Sequence, residues 1–178
     1  VLSHKPAEML LASPKGTVPV VVDGERVIEQ SLDVMRWALG QNDPEGLLDL
    51  SEDALGLIEQ CDGPFKEALD RTKYVSRYGS DPDAERANAQ VFLDLLGTRL
   101  SQNQYLCGAK ITLADIAIFP FIRQFAHIDR ARFDTDAPES LRNWLDAFLT
   151  SERFASIMQK YPKWEAGDPL LWFGDMQA

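Results

Sequence analysis

Gln30-Ser31 stands directly before Leu32–Leu39, whose apolar spacing predicts a helix. The first amides of a helix have no intrahelical acceptor, and with the helix dipole they form a ready anion site. Ser31 can add a hydroxyl and Gln30 a side-chain amide. This is chemistry for holding a carboxylate rather than for breaking a bond. Asp33 in the first turn competes for the same positive end, and an ordinary N-cap at Ser31 explains the pattern equally well. Val18-Pro19 is a second such place. A cis bond here would turn the Val18 amide and carbonyl away from any strand ladder, free to pair with an extended, peptide-like ligand. A trans proline at the first residue of a strand is the ordinary alternative.

Other reactive residue types are scattered. Cys61 and Cys107 lie far apart with no Cys-x-x-Cys or metal spacing, and read as reduced, buried cysteines. His4 and His127 have no companions that would complete a metal site, so none is expected. Asp115 sits alone in an apolar run, but Thr112-Leu113-Ala114-Asp115 fits a capping box with Ile111 and Ile116 at the staple positions. That structural role accounts for it.

The elements that carry these residues fall into two groups. Near the N-terminus, Pro6–Ala12 reads as a short helix. Val18–Val22 and Arg26–Ile28 read as strands joined at Asp23-Gly24, the dipeptide of a two-residue hairpin turn. The helix Ser31–Leu39 follows, with apolar stripes Leu32, Met35, Leu39 and Val34, Trp37, Ala38. After the turn-rich stretch Asn42–Gly46 every pattern is helical. Helices are expected from Ser51 to Gln60, Phe65 to Tyr78 after an interruption at Gly63-Pro64, Pro82 to Gln102 behind an Asp81 cap, Thr112 to Ala126, Pro138 to Leu149 and Ser151 to Tyr161. Domains are therefore expected at residues 1–41 and 51–178, with a linker at 42–50.

Bulk properties exclude several functions. The 178 residues carry 28 acidic and 18 basic side chains, a net charge of −10. That balance argues against nucleic-acid binding and against a polybasic membrane attachment. No signal-peptide pattern opens the chain, and Ile111–Ile122 is too short to span a bilayer. A cytoplasmic protein is expected. The chain begins at Val1 rather than Met, which implies processing or a fragment.

The motifs together resemble those of the cytosolic glutathione S-transferases. Ser13-Pro14-Lys15-Gly16-Thr17-Val18-Pro19, then Val27-Ile28-Glu29-Gln30-Ser31, are similar to the family's N-terminal pattern. Tyr105-Leu106-Cys107-Gly108 and Ile111-Thr112-Leu113-Ala114-Asp115-Ile116 are similar to its C-terminal one. The resemblance implies an α+β thioredoxin-like N-terminal domain, partial in this chain, followed by an all-α domain. It implies a cis Val18-Pro19 bond, with Val18 pairing with the glutathione backbone and Gln30 and Ser31 holding the γ-glutamyl end. Lys5-Pro6-x-Glu8 resembles the omega-type, cysteine-containing branch and gives Lys5 the glycine carboxylate.

Family members begin with a β-α-β unit carrying the catalytic Tyr, Ser or Cys, and nothing here matches it. No catalytic residue is therefore assigned, and the Val18–Val22 edge is expected to be open. The implied reaction is attack of the glutathione thiolate on an electrophilic small molecule. An upstream Cys would instead imply thiol transfer through a mixed disulfide, and a non-catalytic binding module of the same fold is the remaining possibility. Tyr74, Tyr78, Trp172 and Phe173 are candidates for an apolar electrophile pocket, and Cys107 is expected in the core. A homodimer is implied by the resemblance.

Overall fold

The computed structural model of the chain describes residues 5–169 and 171. His4, Trp172 and Phe173 lie outside the described residues. By contact the chain divides into two compact units, one of the described residues up to Ala38 together with those from Gln159 onward, the other Leu39–Met158.

The first unit is mixed. A short helix, α1 (Ala7–Ala12), leads through Ser13–Gly16 to a two-stranded antiparallel sheet, β1 (Val21–Asp23) and β2 (Arg26–Ile28). Val21 stands opposite Ile28 and Asp23 opposite Arg26, with Gly24 at φ 59° in the turn, as the Asp-Gly signal predicts. β1 begins three residues later than expected, because Val18-Pro19 is a cis bond and the ladder starts beyond it. Val22 and Val27 are exposed on the hairpin, at 57% and 42%. Helix α2 (Ser31–Gln41) follows.

The second unit is helical. Its ordered start, residues 42–50, is held by Asp43, whose carboxylate accepts from the Leu47 and Leu48 amides at 2.8 and 2.9 Å. Helix α3 (Glu52–Gln60), capped by Ser51, does not break at Gly63-Pro64. One wide π-helical turn, Cys61–Phe65, absorbs the proline, which has no N–H to give, and the chain runs straight on into α4 (Lys66–Lys73). The break comes later, at Tyr74, where ψ is 51°, so the expected helix to Tyr78 is two helices, α4 and the single turn α5 (Val75–Tyr78). Asp81 caps α6 (Pro82–Gln102). Then come α7 (Leu113–Ala126), α8 (Arg130–Asp136), α9 (Glu139–Leu149) and α10 (Glu152–Ile157). Helix α8 was not expected. Its signal is Asp129, whose carboxylate accepts from the Arg132 amide.

The core of this unit forms around α7, which buries Leu113, Ile118, Phe119, Ile122 and Phe125 while leaving Pro120 on its exposed side. Phe65 packs on Phe92 and Phe125 with ring centroids 5.0 and 5.6 Å apart. Asp115 is fully buried. Its carboxylate completes the capping box with Thr112, accepting from that amide at 3.0 Å. It also accepts from the Leu106 amide at 3.0 Å and from the Trp144 indole on α9 at 3.2 Å. One side chain thus ties the turn before α7, the start of α7, and α9.

Helices α6 and α9 meet at Gly97, where a Cβ would stand under 3.0 Å from two ring atoms of Pro138.

This packing sets the expected outcome of three substitutions. Asp115→Ala leaves the buried Leu106 amide and Trp144 indole, and the half-buried Thr112 amide, without this acceptor and costs roughly 3 kcal/mol or more of stability, read as a urea midpoint. Gly97→Ala destabilises by about 1–3 kcal/mol, because the proline ring cannot yield. Gly56→Ala, in α3 with nothing within 4 Å of its added Cβ, stabilises by about 0.5–1 kcal/mol through helix propensity. Equal effects of the two glycine substitutions would contradict the packing described.

Candidate functional site

The expected binding residues gather at one end of the hairpin. Because β1 and β2 are antiparallel with Val21 opposite Ile28, the stretch entering β1 and the stretch leaving β2 share an end. The first holds Val18 and Pro19, the second Gln30 and Ser31. The cis Val18-Pro19 bond is as the resemblance implied, and Val18 is exposed.

The N-terminus of α2 is built slightly differently from expectation. The Gln30 carbonyl accepts from the Val34 amide at 2.9 Å, so Gln30 occupies the capping position and Ser31 is the first helical residue. The amides that follow Gln30 belong to the first turn, which has no carbonyls of its own to receive them. Both Gln30 and Ser31 are exposed.

Glu29 organises the surroundings. The hydroxyl of Ser13, itself fully buried, donates to one Glu29 oxygen, and the Lys15 ammonium donates to the other at 2.8 Å. A buried hydroxyl needs a partner, and here the partner is the residue before the helix cap. The Ser13–Gly16 loop closes on itself through the Gly16 amide and Ser13 carbonyl, 2.9 Å apart, with Gly16 at φ 60°. The Lys5 side chain lies over this loop, its ammonium 3.8 Å from where a Cβ on Gly16 would be. On the other side the Trp37 indole of α2 donates to Asp23 at the hairpin turn, 2.9 Å away. The structure therefore brings Lys5, Val18, Pro19, Gln30 and Ser31 to a common region, and Glu29 is the residue that motif reading quoted without giving it a role.

Neither cysteine offers a nucleophile. Cys61 is buried, and desolvation pushes its thiol far above the ordinary range, with the Asp62 charge acting the same way. Cys107 is half-buried rather than in the core; burial raises its thiol, and a Thr112 hydrogen bond only partly opposes that. Tyr74 and Tyr78 are exposed in the second unit, with Lys73 over the first ring and Arg71 and Arg77 over the second.

Comparison with known proteins bears on both units. Residues 82–147 match the family model for the glutathione S-transferase C-terminal domain. The fold is that of the glutathione S-transferases. It joins a thioredoxin-like N-terminal domain to an all-helical C-terminal one, and a glutathione transferase family member from Pseudomonas fluorescens Pf-5, solved with two glutathione bound, matches with a TM-score of 0.72 at 17% identity. That match covers 85% of this chain and 74% of the other. Among curated proteins, the chain is 32% identical to glutathione S-transferase F9 of Arabidopsis thaliana over 139 residues, 66% of this chain and 62% of the relative. It is 27% identical to glutathione S-transferase F10 of the same plant over 176 residues, 86% of this chain and 79% of that one. The chain thus spans less than two thirds of the length of the first. Among the described residues no helix is long and apolar enough to cross a membrane.

Glu29 generates a pH prediction. The Lys15 hydrogen bond first, and the Ser13 hydroxyl second, hold its carboxyl below the ordinary range. A lowered folded value means the tie is complete above the ordinary glutamate range and is lost as pH falls through the lowered value. Amide resonances of Gly16 and Ser31 should titrate together below the usual glutamate midpoint, and Glu29→Gln should abolish that transition. A transition at the ordinary midpoint would contradict the network.

Proposed function

We propose that this chain binds glutathione at the hairpin end and serves a glutathione S-transferase that joins the glutathione thiolate to a hydrophobic electrophile, the chemistry of detoxification. In this reading the Val18 backbone pairs with the cysteinyl part of the tripeptide. Gln30, Ser31 and the first-turn amides of α2 receive the γ-glutamyl carboxylate, and Lys5 receives the glycine carboxylate. The observation that carries it is the convergence of the exposed Val18 beside the cis proline with the N-terminus of α2 at one end of the hairpin. The glutathione named in the Pseudomonas fluorescens structure supports the same ligand. Residues 1–41 would form the glutathione-binding domain, 42–50 the linker and 51–178 the helical domain. The working protein would be a cytoplasmic homodimer.

Neither thiol of this chain is suited to attack, so the reactive sulfur in this scheme is glutathione's own. A second reading, thiol transfer through a mixed disulfide, is favoured by the Lys5-Pro6-x-Glu8 motif, on which the omega-like assignment rests alone. Assays of the protein with a chloronitrobenzene and with a glutathione mixed disulfide separate the two.

Calorimetric titration tests the binding. Ser31→Ala removes a hydrogen bond to a charged group and should weaken glutathione about tenfold, near 1.5 kcal/mol. Unchanged affinity in that variant, or no binding by the unaltered protein, would count against the proposal.

A further inference from the structure

Helices α6 and α8 border a groove of about 450 Å³, a volume within the range of small-molecule sites. It lies wholly within the helical unit and shares no residue with the hairpin end. Leu93, Phe125 and Phe133 give it apolar walls, and each of them is buried.

The charges along the groove are unequally engaged. Arg132 on α8 reaches Asp83 on α6 at 2.5 Å and holds Asp136 of its own helix at 3.3 Å. Arg86 and Asp94, both on α6, have no ion-pair partner among the described residues. The Arg86 guanidinium lies over the Phe125 ring, 5.6 Å from its centroid, and the Asp94 carboxylate accepts from the Gln90 amide at 2.7 Å. The same Gln90 amide donates to the Asp136 carbonyl at 3.2 Å, so the Asp94 carboxylate and that carbonyl are drawn to one place. Both oxygens keep lone pairs beyond the ones Gln90 uses. An ammonium, with three donors, suits such a pair of acceptors.

Spacing and charge decide the ligand. The rise of about 1.5 Å per residue puts Arg86 and Asp94 about 12 Å apart along the axis of α6, and their side chains shorten that span. An α-amino acid, whose two charges flank one carbon, is too short to meet both. An extended chain of two or three residues reaches about 7–10 Å. Three carboxylates, Asp83, Asp94 and Asp136, line the groove against the two guanidinium groups. A ligand carrying only an anion is therefore repelled, while one carrying an ammonium as well is not.

We infer that the α6–α8 groove is a second binding site, for a free zwitterionic peptide of two or three residues with an apolar side chain. The ammonium meets the Asp94 carboxylate and the Asp136 carbonyl, the carboxylate meets Arg86, and the side chain packs on the apolar walls. The inference stands whether or not the hairpin end holds glutathione.

Amide chemical-shift titration of the whole chain with alanyl-leucyl-alanine tests it, beside the N-acetylated and the C-amidated forms of the same peptide. Saturable shifts are expected at Ala87, Gln90, Asp94 and Ala137. Removing either charge from the peptide should weaken binding about tenfold. Arg86→Gln should erase the penalty for the amidated form alone, and Asp94→Asn the penalty for the acetylated form alone. Equal affinity of the unaltered protein for all three peptides, no saturable binding up to millimolar peptide, or shifts confined to the hairpin end would overturn the site. The comparison of the three peptides needs no variant, so it decides the matter even if a substitution prevents folding.

Discussion

The Glu29 carboxylate holds the Ser13–Gly16 loop against the start of α2, and the candidate site exists only where those two segments meet. The Lys15 contact lies in water and contributes little. The Ser13 contact is different, because that hydroxyl is fully buried and would be left unsatisfied without it. The loop in turn supports the Lys5 side chain and leads straight into the cis Val18-Pro19 bond. A short hairpin with exposed valines on it has little core of its own to fix these positions. Polar ties between loops do that work here.

The helical unit uses the same device at greater depth. Asp115 is buried at the start of α7 and gathers donors from three segments. Around it the aromatic packing of the Cys61–Phe65 turn, α6, α7 and α9 supplies apolar burial, where the described residues of the first unit bury Ile28. The contrast suits a binding edge set on one unit and a rigid body in the other.

Much of this was legible in the sequence because it depends on local rules. The Asp-Gly turn, the Asp81 and Ser51 caps and the Thr112–Asp115 box each act within four residues, and each is found where the pattern put it. What failed was the reading of breakers. Gly63-Pro64 predicts an interruption, but a π-helical turn holds the proline and the break falls at Tyr74, which carries no breaker signal. Helix α8 was missed because only its cap marks it in a stretch dense with charge. The candidate binding residues near the hairpin are visible through their motif. The role of Glu29 was not, since its partners Ser13 and Lys15 lie 16 and 14 residues away and only folding brings them together.

If one end of the hairpin holds glutathione, amide chemical-shift mapping of the protein during a glutathione titration reads it residue by residue. Saturable shifts are expected at Gly16, Val18, Gln30, Ser31 and Leu32, with the interior of α6 and α7 undisturbed. Saturable shifts confined to Leu39–Met158, or none up to millimolar ligand, would contradict it.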